Sequence, residues 1–136
     1  MNITVIDGHG GLLGAQIIKE ISVQFPEFNI TAVGTNSSAT AAMIKAGAKN
    51  AATGENPVCV ACRKSDVIIG PIGIVIADSL GGEITPRMAL AVSRADAVRI
   101  LIPMNRCENL VAGVRNLSTT EMIEDVISKL KAMKNA

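Results

Sequence analysis

The segment Asn2-Ile3-Thr4-Val5-Ile6 runs straight into Asp7-Gly8-His9-Gly10-Gly11-Leu12-Leu13-Gly14. The first part is short, β-branched and without clean polar alternation, which is how a strand buried on both faces of a parallel sheet reads. Residues 8–14 then hold four glycines in seven positions. Beyond them Leu13, Ile17 and Ile21 fall on one stripe at helical spacing, until Pro26 stops the run. A strand, a glycine-rich turn and a helix in that order constrain the chain strongly. The unit cannot bury its strand alone and needs further strands on either side.

The rest of the sequence supplies them. Residues 29–33, closed by Gly34, read as a second strand, and residues 66–69 and 98–102 as two more. A weak strand is expected near 49–52. Ser37 or Ser38 is expected to cap a helix running to about Ala46, with Gly47 beyond its end. Residues 57–63 read as a short helix, and 74–80 as another, broken by Gly81-Gly82. Thr85-Pro86 opens a helix to about Arg94, with Thr as cap and Pro in the first turn. Residues 105–114 read as a hairpin or as a loop with an edge strand. Ser118, Thr119 or Thr120 caps a last helix, with Glu121 placed for a capping box and Ile123, Val126 or Ile127 and Leu130 on one face. The expected fold is one α/β domain over residues 1–136, a three-layer Rossmann-like sandwich with a mainly parallel sheet. Its ligand crevice would lie beyond the C-terminal strand ends. Asp7-Gly8, Gly34-Thr35-Asn36, Gly70-Pro71 and Pro103-Met104-Asn105-Arg106 all fall there.

Composition narrows the function. With 49% apolar and 18% charged residues the chain is not disordered. It has two Phe and no Tyr or Trp, so it offers no stacking platform for bases, and a net charge near +1 gives nothing to steer it to nucleic acid or an anionic membrane. No apolar run approaches the roughly 20 residues of a membrane span. Three cysteines and no leader before the first strand point to the cytoplasm. The high apolar content points to a homodimer.

The glycine loop approximates Gly-x-Gly-x-x-Gly, with the third glycine one residue late at Gly14. Gly8 would permit the turn, Gly10 the approach of a phosphate, and Gly14 close packing of helix on strand, while N–H groups at the helix start face the anion. A tight connecting turn needs fewer glycines. The loop lacks the Gly-Lys-Ser/Thr ending of a Walker loop. The expected ligand is a small phosphorylated one: NADP, NAD or a mononucleotide, held by Asp7, Gly8, His9, Gly10, Gly11, Gly14, Thr35, Asn36, Ser38, Gly70, Pro71, Asn105 and Arg106. An NAD site places an acid at the end of its second strand to hold the ribose. Here Gly34-Thr35-Asn36-Ser37-Ser38 carries none, which leans the choice toward NADP.

Other polar residues have competing readings. Asp7 would orient a ligand hydroxyl or a magnesium-bound water, or simply cap the first helix. His9, the sole histidine, is a candidate acid or base. Cys59 and Cys62 lack a second pair and read as packed small residues ahead of a redox or metal pair. Asp78, Glu83 and Arg87 around Gly81-Gly82 suit a ligand lid or an interface loop, and Glu55 and Asn56 would come from a neighbouring turn. Arg106 is the best anion clamp, and Cys107 beside it a thiol of lowered pKa. No catalytic residue and no metal site is assigned.

The blocks Asp7-Gly8-x-Gly10-Gly11, Gly34-Thr35-Asn36, Thr53-Gly54-Glu55-Asn56, Gly70-Pro71-Ile72-Gly73, Gly82-Glu83-Ile84-Thr85-Pro86 and Ile102-Pro103-Met104-Asn105-Arg106-Cys107 together resemble a small bacterial family designated a domain of unknown function, DUF3842. The resemblance covers nearly the whole chain. It implies a small soluble cytoplasmic protein and carries no activity and no catalytic residues with it.

Overall fold

The computed structural model describes residues 1–104 and 109–136. Five strands, β1 (Asn2–Asp7), β2 (Asn29–Gly34), β3 (Asn50–Thr53), β4 (Val67–Pro71) and β5 (Val98–Ile102), form one sheet in the order β3-β2-β1-β4-β5. Every pairing is parallel. The helices are α1 (Leu12–Gln24), α2 (Ser37–Lys45), α3 (Glu55–Lys64), α4 (Pro86–Arg94) and α5 (Thr119–Lys134). No helix among the described residues is long and apolar enough to cross a membrane.

Alternation along the strands builds two cores. Ile3 and Val5 of β1, with Ile30, Ala32, Val67 and Ile69, pack under α1, Met43 of α2, and the Ile123, Val126 and Leu130 stripe of α5. Ile6, Val33 and Ile68 face the other way, toward Val58 and Cys62 of α3 and Met88 and Val92 of α4. Helices therefore cover both faces, giving the three-layer sandwich. The crossovers go one way from β1 through β2 to β3, and the other way through β4 to β5. The reversal leaves a crevice between the ends of β1 and β4, where a doubly wound sheet binds its ligands.

Local chemistry explains most boundaries. α1 occupies the expected residues, and Ser118 and Glu121 make the expected capping box on α5. Thr85 caps α4 with Pro86 in its first turn. Three expectations are corrected. The α2 cap is Asn36, whose side chain accepts from Ala39 N–H, so both Ser37 and Ser38 lie inside the helix. α3 begins at Glu55, because Gly54 at φ 108 makes the turn that starts it. Residues 74–80 form no α-helix: a 3₁₀ turn over Ile72–Val75 gives way to left-handed backbone at Asp78 (φ 67) and Leu80 (φ 55). Of the segment expected to hold a hairpin or edge strand, residues 109–114 form neither, and residues 105–108 lie outside the described residues.

Gly70 shows why the sheet closes so tightly at the reversal. A Cβ there would stand 2.5 Å from the Ile6 carbonyl oxygen of β1 and 2.9 Å from Ile74 Cδ1. Backbone cannot yield as a side chain can. Gly70→Ala should lower stability by about 2–3 kcal/mol, read as a shifted midpoint in urea unfolding at neutral pH.

Candidate functional site

Asp7 is the last residue of β1 and is buried. Its Oδ1 accepts the Gly8 N–H at 2.8 Å and its Oδ2 accepts the Gly14 N–H at 2.7 Å. Gly14 is the third residue of α1, so Asp7 caps the helix from within the sheet. Gly11, at the start of α1 with φ 73, carries no side-chain cap of its own. Burial pushes the Asp7 carboxyl above the usual range, and the two backbone N–H groups only partly offset it. Both of its oxygens are committed to the fold.

The loop glycines now separate by cause. A Cβ on Gly8 would meet Thr35 Oγ1 at 2.7 Å and Glu83 Oε1 at 2.9 Å, and one on Gly14 would meet Met43 Sδ at 2.7 Å. At Gly11 it would meet the Ala39 carbonyl oxygen at 2.6 Å. These three are required by packing. Gly10 is not: its φ is not left-handed, and the nearest atom to an added Cβ is Leu12 Cγ at 4.0 Å. Among the described residues the N–H groups of Gly10, Leu12 and Leu13 meet no acceptor, while Gly11 N–H bonds Gly8 O at 2.9 Å.

Glu83 is the residue that sequence reasoning placed in a ligand lid or an interface loop. The structure sets its carboxylate over the glycine loop and against the end of β2. Oε1 accepts from Thr35 Oγ1 at 2.5 Å, from Asn36 Nδ2 at 2.9 Å and from the His9 N–H at 3.0 Å. Oε2 stands 3.1 Å from His9 Nδ1. Burial pushes this carboxyl up, but the bonds from Thr35, His9 and Asn36, and then the His9 charge, outweigh it and hold it below its usual value. An acid does therefore stand where β2 ends, delivered from the connection between β4 and α4. No local pattern links position 83 to position 35. The only signal was the double glycine before it.

That connection is a tight knot. Asp78 N–H bonds Ile84 O at 2.7 Å, Ile84 N–H bonds Ser79 O at 3.2 Å, and Ser79 Oγ donates to Gly73 O. Leu80 and Ile84 are buried on either side of Glu83. The left-handed Leu80 costs about 1–2 kcal/mol. Its burial over Gly8 holds it there.

The other candidates fall into place around this cluster. His9 is exposed, with φ 50. Asn36 donates to His9 O at 2.9 Å as well as to Glu83, so its side chain is fully used. Ser38 is exposed on the first turn of α2 and is not drawn into the cluster. Gly70 and Pro71 are buried in β4, next to β1 at the reversal. Asn105, Arg106 and Cys107 lie outside the described residues. Glu55 accepts from Thr85 Oγ1 at 2.6 Å and stands 3.7 Å from Arg87, tying α3 to α4 away from the loop. Cys59 and Cys62 are free and buried, and burial, with Cys59 beside it, pushes the Cys62 thiol up to about 11. Among the described residues no group of His, Cys, Asp and Glu is placed to hold a metal ion.

Fold and site define a doubly wound α/β protein with a glycine-rich turn between β1 and α1 at the point where the strand order reverses. The chain belongs to the family described as Domain of unknown function (DUF3842), whose model matches residues 2–135. No curated protein matches it.

Two measurements test the site. Asp7→Ala strands the Gly8 and Gly14 N–H groups and should cost about 2–3 kcal/mol in urea unfolding at pH 7. Glu83 has a folded pKa below its unfolded value of about 4.3, so its ionised form stabilises the fold above that value. That contribution is lost as pH falls through the folded pKa. The stability gap between wild type and Glu83→Gln should therefore narrow from pH 6 to pH 3.

Proposed function

We propose that this protein binds a nucleotide or dinucleotide through the turn between β1 and α1, as a small enzyme or a sensor. The observation that carries the reading is Gly10. The fold requires glycine at Gly8, Gly11 and Gly14, but nothing among the described residues requires it at Gly10. The unpartnered N–H groups of Gly10, Leu12 and Leu13 lie on the same turn, and a phosphate would satisfy them. The position at the reversal of strand order supports the same ligand class. Asp7 and Glu83 do not take these three donors. A homodimer is part of the proposal: β5 is an edge strand with Val98 exposed, open to pairing with a second copy.

Native mass spectrometry of the freshly purified protein tests both parts. The expected spectrum shows twice the 14.1 kDa chain with a retained nucleotide mass. Gly10→Val should stay within about 0.5 kcal/mol of wild-type stability and lose the ligand. Failure to bind any nucleotide at millimolar concentration would leave a non-catalytic partner protein as the better reading.

A further inference from the structure

The ligand proposed above has a phosphate end and an unspecified remainder, and Glu83 bears on the remainder. In a doubly wound sheet the space between the first turn and the end of the second strand receives the ribose next to the phosphate. A carboxylate there accepts the ribose hydroxyls, whereas a guanidinium there accommodates a 2′-phosphate. The strand itself ends in Gly34-Thr35-Asn36, without an acid. Glu83 fills that place from elsewhere: its Oε1 touches Thr35 and Asn36 at the end of β2 and the His9 N–H of the first turn.

We infer that Glu83 is the carboxylate that reads the ribose in this crevice, so that the ligand carries a free 2′,3′-diol beside its phosphate, as NAD and ADP do and NADP does not. The inference rests on the glycine-turn reading and reverses the lean toward NADP drawn from β2 alone.

Three features make Glu83 suited to the task. With three donors on Oε1, that oxygen is saturated. Oε2 meets His9 Nδ1 and keeps a lone pair for a hydroxyl, and the side chain is 27% exposed, so the oxygen is reachable. The carboxylate is also held in place before any ligand arrives, by the knot of bonds among Asp78, Ser79 and Ile84 and by the buried flanks Leu80 and Ile84. A fixed acceptor discriminates between donors and anions more sharply than a mobile one. A 2′-phosphate would bring a second anion against it. Among the described residues the basic side chain beside Glu83 is His9, with its ring already turned to the same carboxylate.

The test is isothermal titration of the full-length protein with NAD and NADP, and with ADP and 2′-deoxy-ADP. Wild type should bind NAD at least about tenfold more tightly than NADP, and ADP more tightly than its deoxy form. Glu83→Gln keeps the shape and an acceptor oxygen but removes the charge. It should bring the NAD-to-NADP ratio to within about threefold, mainly by improving NADP. Circular dichroism melting of that variant confirms folding, and Glu83→Asp in a second titration should retain the preference for NAD if charge is the cause. Equal binding of NAD and NADP by wild type, or an unchanged ratio in Glu83→Gln, overturns the role of Glu83 while leaving the glycine-turn site standing. Absence of binding by all four ligands removes the site itself, and this inference with it.

Discussion

A buried carboxylate at the end of the central strand sets the geometry of everything around it. Asp7 takes one N–H from the turn that leaves β1 and one from the first turn of α1. A helix start leaves its first N–H groups without partners, and Gly11 has no side chain to serve them. By reaching forward from the strand, Asp7 fixes how far α1 stands from β1 and how tightly the turn must close. Gly14 follows in part from that closeness, since an added Cβ would stand 3.0 Å from Asp7 Cβ, while Gly8 is confined by Thr35 and Glu83 and Gly11 by the Ala39 backbone. The cost is a desolvated acid, visible in its raised pKa. Two charge-dipole bonds in a low-dielectric setting offset part of that cost.

The second constraint comes from the far side of the sheet. The residues between β4 and α4 abandon helix for left-handed backbone at Asp78, Leu80, Gly81 and Gly82. Strain of this kind persists only where surrounding packing over-determines it. Here the buried Leu80 and Ile84 do so, and the residue they hold between them and the crevice is Glu83. The result is a network joining three connections, those after β1, β2 and β4, through one carboxylate. Thr35 and Asn36, which read as ligand donors in the sequence, spend their hydrogen bonds on that network. Among the described residues the N–H groups of Gly10, Leu12 and Leu13 on the turn stay outside that network.

Much of this was legible beforehand. The strand, turn and helix of residues 2–24 stood out because period, glycine and proline signals agreed. α5 stood out because its cap and its apolar stripe pointed the same way, and Asp125 and Lys129 on it pair at 2.5 Å. The failures have physical causes. Residues 74–80 looked helical because Ile74, Val75 and Leu80 are apolar at permissive spacing, yet Leu80 is buried through a single strained turn. Ser37 and Ser38 looked like caps because hydroxyls cap well, but Asn36 can cap α2 while also donating to His9 and Glu83. No neighbour-to-neighbour rule weighs that double use.

Sequence by itself determined the layers. The alternation of short aliphatic strands with helices whose faces are apolar admits few arrangements, and nearly all place the glycine turn at one end of a parallel sheet. The tertiary structure alone put an acid at the end of β2. An acid 48 residues from Thr35 reaches it only after β4 has packed beside β1, and α4 behind it, and side chains from distant segments become neighbours through packing that no local pattern encodes. For the same reason the structure alone separated the glycines of the first turn that packing demands from Gly10, which it does not.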